Sequence, residues 1–201
     1  IYYIYDKIIS KELEKDNIYV NNIFTLKDSD IVKVIFVEKF GSITEDTAEV
    51  EKIFYNETSF LAKDLDKGNS DLLRMIGICC TTSNIYHETK DEEDIFGEAY
   101  IRFCEKYDFD KDKIARENRF KFRTEVNSTN SIRTTVTKNE RGFRATSRGS
   151  LDKIIPKCKS ILINGVEHPL TEEEIIQIKL ADFCFSREGL ITEAMAYRSF
   201  N

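Results

Sequence analysis

The sequence comprises 201 residues, 41% apolar and 33% charged, with a formal net charge of -6. Its 14 Phe and 9 Tyr supply more burial than a disordered polyampholyte needs, so a packed core is expected and a fully disordered chain is excluded. No run approaches the 18 or so apolar residues of a membrane span, and the N-terminus lacks the basic, apolar and small-residue order of a secretory signal.

In chain order, residues 1–15 place Ile1, Tyr5, Ile8 and Ile9 on one stripe and predict a helix. Residues 18–26 and 31–39 are rich in β-branched and aromatic side chains and predict two strands, the second apolar on both faces and therefore central. Residues 47–66 repeat Val50, Ile53, Phe54, Leu61 and Leu65 at helical spacing, with Gly68 as the terminator. Leu72 to Cys80 is apolar without a decisive period. From Asp94 to Tyr107 a continuous stripe of Ile95, Phe96, Ala99, Tyr100, Phe103, Cys104 and Tyr107 predicts a helix with an acidic outer side.

The period then shortens to two. Phe120, Phe122, Thr124 and Val126 alternate with Arg119, Lys121, Arg123 and Glu125, so a strand is expected with its aromatics against the core and its cations outside. Turns at Asn127–Asn130 and at Asn139–Gly142 divide this strand from returns through Ile132, Thr134 and Val136 and on to Ser147, a three-strand antiparallel meander. A short helix follows to about Pro156, then an Asn164-Gly165 hairpin. Thr171 and Glu174 form a capping-box pattern ahead of a helix expected to bury Ile176, Leu180, Phe183 and Cys184. Gly189 separates it from a second helical segment near Leu190 to Tyr197.

The charge is unevenly laid out. Residues 113–159 hold 13 Lys/Arg against 4 Asp/Glu, about +9 inside an acidic protein. Arg119, Lys121 and Arg123 on one strand face would stand about 6–7 Å apart, close to the spacing of phosphates on an extended strand. Arg133, Arg144 and Arg148 extend this into a six-residue patch, with Thr135, Thr146 and Ser150 as neutral donors. The sequence is therefore read as a non-enzymatic, sequence-nonspecific binder of single-stranded nucleic acid or another polyanion. Two alternatives stay open: an interaction or structural domain using the patch against an acidic protein, and a divalent-metal nuclease built from Glu98, Asp108 or Glu125 beside Lys121. The same cations also match the acidic side of the Asp94–Tyr107 helix, a pairing that needs no ligand.

Other constellations carry less. Asp108-x-Asp110-x-Asp112 opens like a calcium loop but has Lys113 at the glycine position and Arg119 at the bidentate-glutamate position, so it reads as the acidic lead-in to a helix. Gly41-Ser42 with Glu49-x-Glu51 falls in a helical period where paired catalytic carboxylates need a sheet. His87 and His168 with Cys79 and Cys80 lack the spacing of a zinc site, and Cys80 with His87 is a weak nucleophile and base pair. No catalytic residue, metal ligand or cofactor is assigned. Five cysteines without repeating spacing suit a reducing, cytoplasmic compartment. The expected fold is a compact mixed α+β protein over residues 1–201, with possible subdomains at 1–112 and 113–201 and with helices closing the C-terminus.

Overall fold

The computed structural model describes residues 2–19, 33–34, 36–37, 42–45, 47–66, 68–84, 94–124 and 131–201. The chain divides into two compact units, Ile1–Asp46 and Thr47–Asn201. In the first, helix α1 spans Tyr2–Lys15, as its apolar spacing predicts. Most of the expected strands over 18–26 and 31–39 lies outside the described residues. Of the second run, Val34, Phe36 and Val37 are exposed and unpaired in any strand, which does not fit a central strand.

The second unit is a mixed α/β domain of several helices and small antiparallel sheets. It opens on a hairpin, β1 at Lys52–Tyr55 and β2 at Thr58–Leu61, where a helix is expected. Asn56 and Glu57 both take positive φ, at 51° and 60°, which is the backbone of a two-residue hairpin turn. A tertiary contact supports this turn: Asn56 accepts from the Asn164 backbone N–H and donates to the Asn164 side chain, both at 2.8 Å. Ile53, Phe54 and Tyr55 suit a pleated surface as well as a helical stripe, so local spacing alone misleads here.

Helix α2, Ser70–Asn84, resolves the ambiguous run after Leu72. Helix α3 spans Ile95–Glu105 and is capped by Asp94, whose carboxylate accepts from the Gly97 N–H at 3.0 Å. Helix α4, Lys111–Glu117, crosses the 112/113 position and is capped by Asp110, so the acidic lead-in has the role expected of it. Helices α2 and α3 share a core of Leu73, Ile76, Cys79, Cys80, Ile101, Phe103 and Cys104, joined by Ala62 and Leu65. Burial pushes the Cys79 thiol up to about 12, so it behaves as a small apolar side chain. Gly77 is where the ring of Phe109 meets α2: a Cβ there would lie 2.1 Å from the ring.

The main sheet has four antiparallel strands in the order β3 (Arg119–Arg123), β4 (Ile132–Asn139), β5 (Gly142–Gly149) and β8 (Ala194–Phe200). Between β5 and β8 come helix α5 (Leu151–Ile154), a 3-10 turn at Ile155–Lys157, hairpin strands β6 (Ser160–Ile163) and β7 (Val166–Pro169), and helix α6 (Glu172–Arg187). Asn164 and Gly165, at φ 50° and 77°, make the β6–β7 turn that their residue types predict. Thr171 and Glu174 complete the capping box of α6.

Two C-terminal expectations fail. Residues after Gly189 form strand β8 against β5 rather than a second helix, because Met195 and Tyr197 alternate with Ala196 and Arg198 and complete the sheet. Helix α6 buries Ala181 and leaves Ile176, Leu180, Phe183 and Cys184 exposed. It has a second apolar row, Ile175, Ile178 and Phe185, and a helix apolar on two sides gives periodicity no means of choosing between them.

Register divides the sheet into two faces. Thr135, Thr137, Thr146 and Arg148 are buried on the side that packs on the helices. Among the described residues the hydroxyls of Thr137 and Thr146 have no hydrogen-bond partner. Thr146→Val, which keeps the shape and removes the desolvated hydroxyl, is expected to raise the unfolding free energy by about 1 kcal/mol in denaturant titration. A loss of stability would show that the hydroxyl is satisfied.

Candidate functional site

The predicted basic patch depends on strict alternation in β3, and a bulge interrupts it. Arg119 pairs with Lys138 and Phe120 with Thr137, but Phe122 pairs with Val136, so Lys121 is the extra residue. Directly paired residues project to the same side. Arg123 therefore shares the helix-facing side with Thr135 and Thr146, while Arg119 shares the opposite side with Lys138 and Phe143. The three cations do not form one row. The same bulge turns Phe122 outward: it is 59% exposed rather than packed in the core.

The later members of the patch are engaged within the protein. Arg144 lies 5.2 Å from the Tyr197 ring centroid and donates to Ser199 at 3.4 Å. Arg133 donates to Asp94 at 3.2 Å. Arg148, 4% exposed, donates to Asp94 through Nη2 and to Glu193 through Nη1, the latter at 3.0 Å. The Tyr100 hydroxyl donates to the same Glu193 oxygen at 2.9 Å, and the Arg148 guanidinium sits 5.9 Å from the Tyr100 ring centroid. Two guanidinium groups and two carboxylates balance in this cluster. The pairing of the cations with the acidic helix is thus realised through its capping residue, for Arg133 and Arg148.

Electrostatics follow from that enclosure. Burial alone would raise the Asp94 carboxyl, but Arg148, the Gly97 N–H and Arg133 outweigh it and hold the group below the usual carboxylate range. Burial would lower Arg148, and Glu193 and Asp94 reverse this and keep it protonated. Burial, then the Glu193 charge, push the Tyr100 phenol far above its ordinary value, so it serves as a donor. Because Asp94 titrates lower in the folded state than in the unfolded one, its stabilisation is complete above about pH 4 and is lost as pH falls through the native value. Unfolding free energy is expected to drop on acidification from about pH 6 to about pH 2, and Asp94→Asn is expected to flatten that drop. An unchanged slope would remove Asp94 from the account.

The other face of the sheet is exposed at Phe122 and Arg198, half-buried along Val136, Ala145, Ser147 and Ala196, and buried at Ile132 and Gly149. One row runs across all four strands as Phe122, Val136, Ala145 and Arg198; the next carries Thr134, Ser147 and Ala196, and the next Ile132, Gly149 and Ala194. Small side chains thus make a floor beside an exposed aromatic ring. Toward the other end Lys138 lies 5.4 Å from the Phe143 ring centroid, and Phe143 stacks on Phe200 at 5.8 Å. No group of three or more His, Cys, Asp or Glu able to hold a metal occurs among the described residues, and no described helix is long and apolar enough to cross a membrane. His87, Glu125 and the Asn127–Asn130 turn lie outside the described residues.

The family model described as P-type ATPase, cytoplasmic domain N, matches residues 69–201, which takes in α2, α3, α4, the whole four-stranded sheet and the Arg148 cluster. The chain belongs to this family. The domain N chain is 23% identical to calcium-transporting ATPase 1 of Bacillus cereus over 192 residues, covering 93% of this chain and 21% of that protein. It is also 25% identical to the potassium-transporting ATPase alpha chain 2 of Oryctolagus cuniculus, over 81% of this chain and 17% of that protein. A sodium/potassium-transporting ATPase alpha subunit of Hydra vulgaris matches at 22% identity, over 85% of this chain and 18% of that protein. The chain spans about a fifth of the length of these relatives.

Membership of domain N overturns the functional reading of the basic strands. A nucleic-acid or polyanion partner, and with it a non-enzymatic binding protein, an acidic-protein adaptor or a metal nuclease, is replaced by membership of the P-type ATPase cytoplasmic domain N family. The internal pairing that the sequence also offers for these cations is the one realised at Arg133 and Arg148. Sequence reasoning missed Asp94, Tyr100 and Glu193, which reside in helical and C-terminal segments distant in sequence. The one available signal was the Asp94-x-x-Gly97 helix start, which places a carboxylate at the end of α3.

Proposed function

We propose that the Thr47–Asn201 unit binds adenosine triphosphate, as the nucleotide-holding part of a P-type cation-transporting ATPase. The observation that carries this reading is the exposed Phe122 ring beside the small, half-buried side chains of Ala145, Ser147 and Ala196, in a domain N sheet. A purine base has two apolar faces and a polar edge. It stacks on an aromatic ring and needs a flat surface without bulky side chains beneath it. Thr134 and Ser147, whose hydroxyls lie 2.8 Å apart, give the floor polar atoms for the edge of the base or the ribose. Lys121, exposed in the bulge next to Phe122, and Arg198, exposed at the far end of the same row, are the cations assigned to the phosphates.

Of the six cations of the basic patch, Arg119 and Lys121 are exposed, Arg123 is half-buried on the helix-facing side, and Arg133, Arg144 and Arg148 already bond to protein groups. Neutralising Lys121 and Arg198 together as glutamines is expected to weaken ATP binding roughly 3- to 10-fold and leave adenosine affinity unchanged, as read by calorimetry. Equal affinity for ATP before and after the change would remove both residues from the phosphate site. Transport of a cation and hydrolysis of the nucleotide belong, in this reading, to the longer assembly of which domain N is a part.

A further inference from the structure

Helix α6 carries an apolar row that its own fold leaves uncovered. The inner side of the helix buries Ala181 and is tied down from β1 by Lys52, which lies 5.8 Å from the Phe185 ring centroid and donates to Glu188 at 2.7 Å. Thr192 adds a hydrogen bond to Asp182. On the outer side Ile176, Leu180 and Phe183 are 65%, 60% and 58% exposed, so three large apolar side chains stand on a helix already fixed in place. At about 3.6 residues per turn, Glu172, Ile176, Leu180, Phe183 and Arg187 fall within an arc of about 80°. The row therefore runs from the acidic first turn, across the apolar side chains, to Arg187 in the last turn. Glu172, Glu173 and Arg187 are all exposed, and the Arg187 guanidinium lies 5.9 Å from the Phe183 ring centroid.

We propose that this face of α6 pairs with the same face of a second copy of the chain, as an antiparallel helix pair about a two-fold axis. In a two-fold interface every contact occurs twice, so the face must complement itself. An axis between residues 179 and 180 sets Ile176 against Phe183 of the other copy, Leu180 beside its own equivalent, and Glu172 against Arg187 at both ends. A parallel pair would instead bring Glu172 to Glu172 and Arg187 to Arg187. The order of acid, apolar row and base makes the helix its own complement in reverse, and this charge match is the ground for a second copy as the occupant. A single helix pair of this length buries on the order of 1,000 Å² in total, below the roughly 1,600 Å² of a standard stable interface, so the dimer is weak, with a dissociation constant of roughly 10–500 μM.

Sedimentation equilibrium of the full 201-residue chain, from about 1 μM to about 1 mM, tests it. The unsubstituted chain is expected to pass from monomer to dimer mass across that range. Leu180→Glu, at an exposed position, is expected to raise the dissociation constant roughly 10-fold or more with an unchanged melting temperature. Charge exchange tests the direction of pairing. Arg187→Glu and Glu172→Lys are each expected to weaken self-association roughly 3- to 30-fold, because each sets like charges against one another at both ends. An equimolar mixture of these two variants is expected to recover the unsubstituted affinity as a mixed dimer, in which both ends carry opposite charges. Phe183→Glu, expected to act as Leu180→Glu does, is the second break in the row should a charge variant not fold. A chain that stays monomeric to about 1 mM overturns the proposal and leaves the row to a different polypeptide segment. Dimerisation unaffected by Leu180→Glu and Phe183→Glu overturns the face, and a mixture that associates no better than its components overturns the antiparallel pairing.

Discussion

Replacing Arg148 by methionine is expected to cost the Thr47–Asn201 unit about 3–5 kcal/mol, because it leaves Asp94 and Glu193 enclosed without their shared counter-charge. The side chain is long and apolar enough to fill the space, so the loss reports charge more than volume. Denaturant unfolding measures it. Asp94→Asn in the same chain is expected to recover part of the loss: asparagine keeps the cap on Gly97 and removes one of the stranded charges. A cost below about 1 kcal/mol for Arg148→Met would mean that water reaches the cluster and that the ion pairs are weak surface contacts.

Phe122→Ala is expected to have the largest effect on binding with little effect on stability. Stacking of a base on an aromatic ring contributes about 1–3 kcal/mol, so ATP and adenosine affinities should both fall by roughly 5- to 150-fold. The ring is exposed, and truncating it opens no cavity in the core shared by α2 and α3. Phe103 supplies the contrast: it is buried in that core, and Phe103→Ala is expected to cost about 3–5 kcal/mol of stability. Unchanged nucleotide affinity in Phe122→Ala, measured on a protein with unchanged melting temperature, would move the base off this face.

The legibility of the fold varied with how local its determinants are. Helix α3, the α6 capping box and the Asn164-Gly165 turn depend on residues a few positions apart, and spacing alone identifies them. The hairpin at Asn56–Glu57 depends on a clasp to Asn164, more than one hundred residues away, and its apolar spacing imitates a helix. Strand β8 needs β5 beside it to be more than an ambiguous run. A helix such as α6, apolar on two sides, does not declare which side will be buried.

The site was less legible still. One extra residue at Lys121 reverses the facing of everything beyond it in β3, so the aromatic ring expected in the core becomes exposed and the cations expected in a row separate. Nothing in the alternation of Arg119 to Arg123 announces that bulge. Arg148 reads in the sequence as one more cation of an exposed patch, whereas it is buried and bonded to two carboxylates brought to it from the start of α3 and the approach to β8.

The most direct measurement is a calorimetric titration of the unsubstituted chain with ATP, run beside the same titration with a mixed-sequence single-stranded oligonucleotide at moderate salt. A nucleotide-binding domain N is expected to show saturable binding of one ATP per chain and no saturable binding of the oligonucleotide. Saturable oligonucleotide binding with no heat from ATP would contradict that expectation.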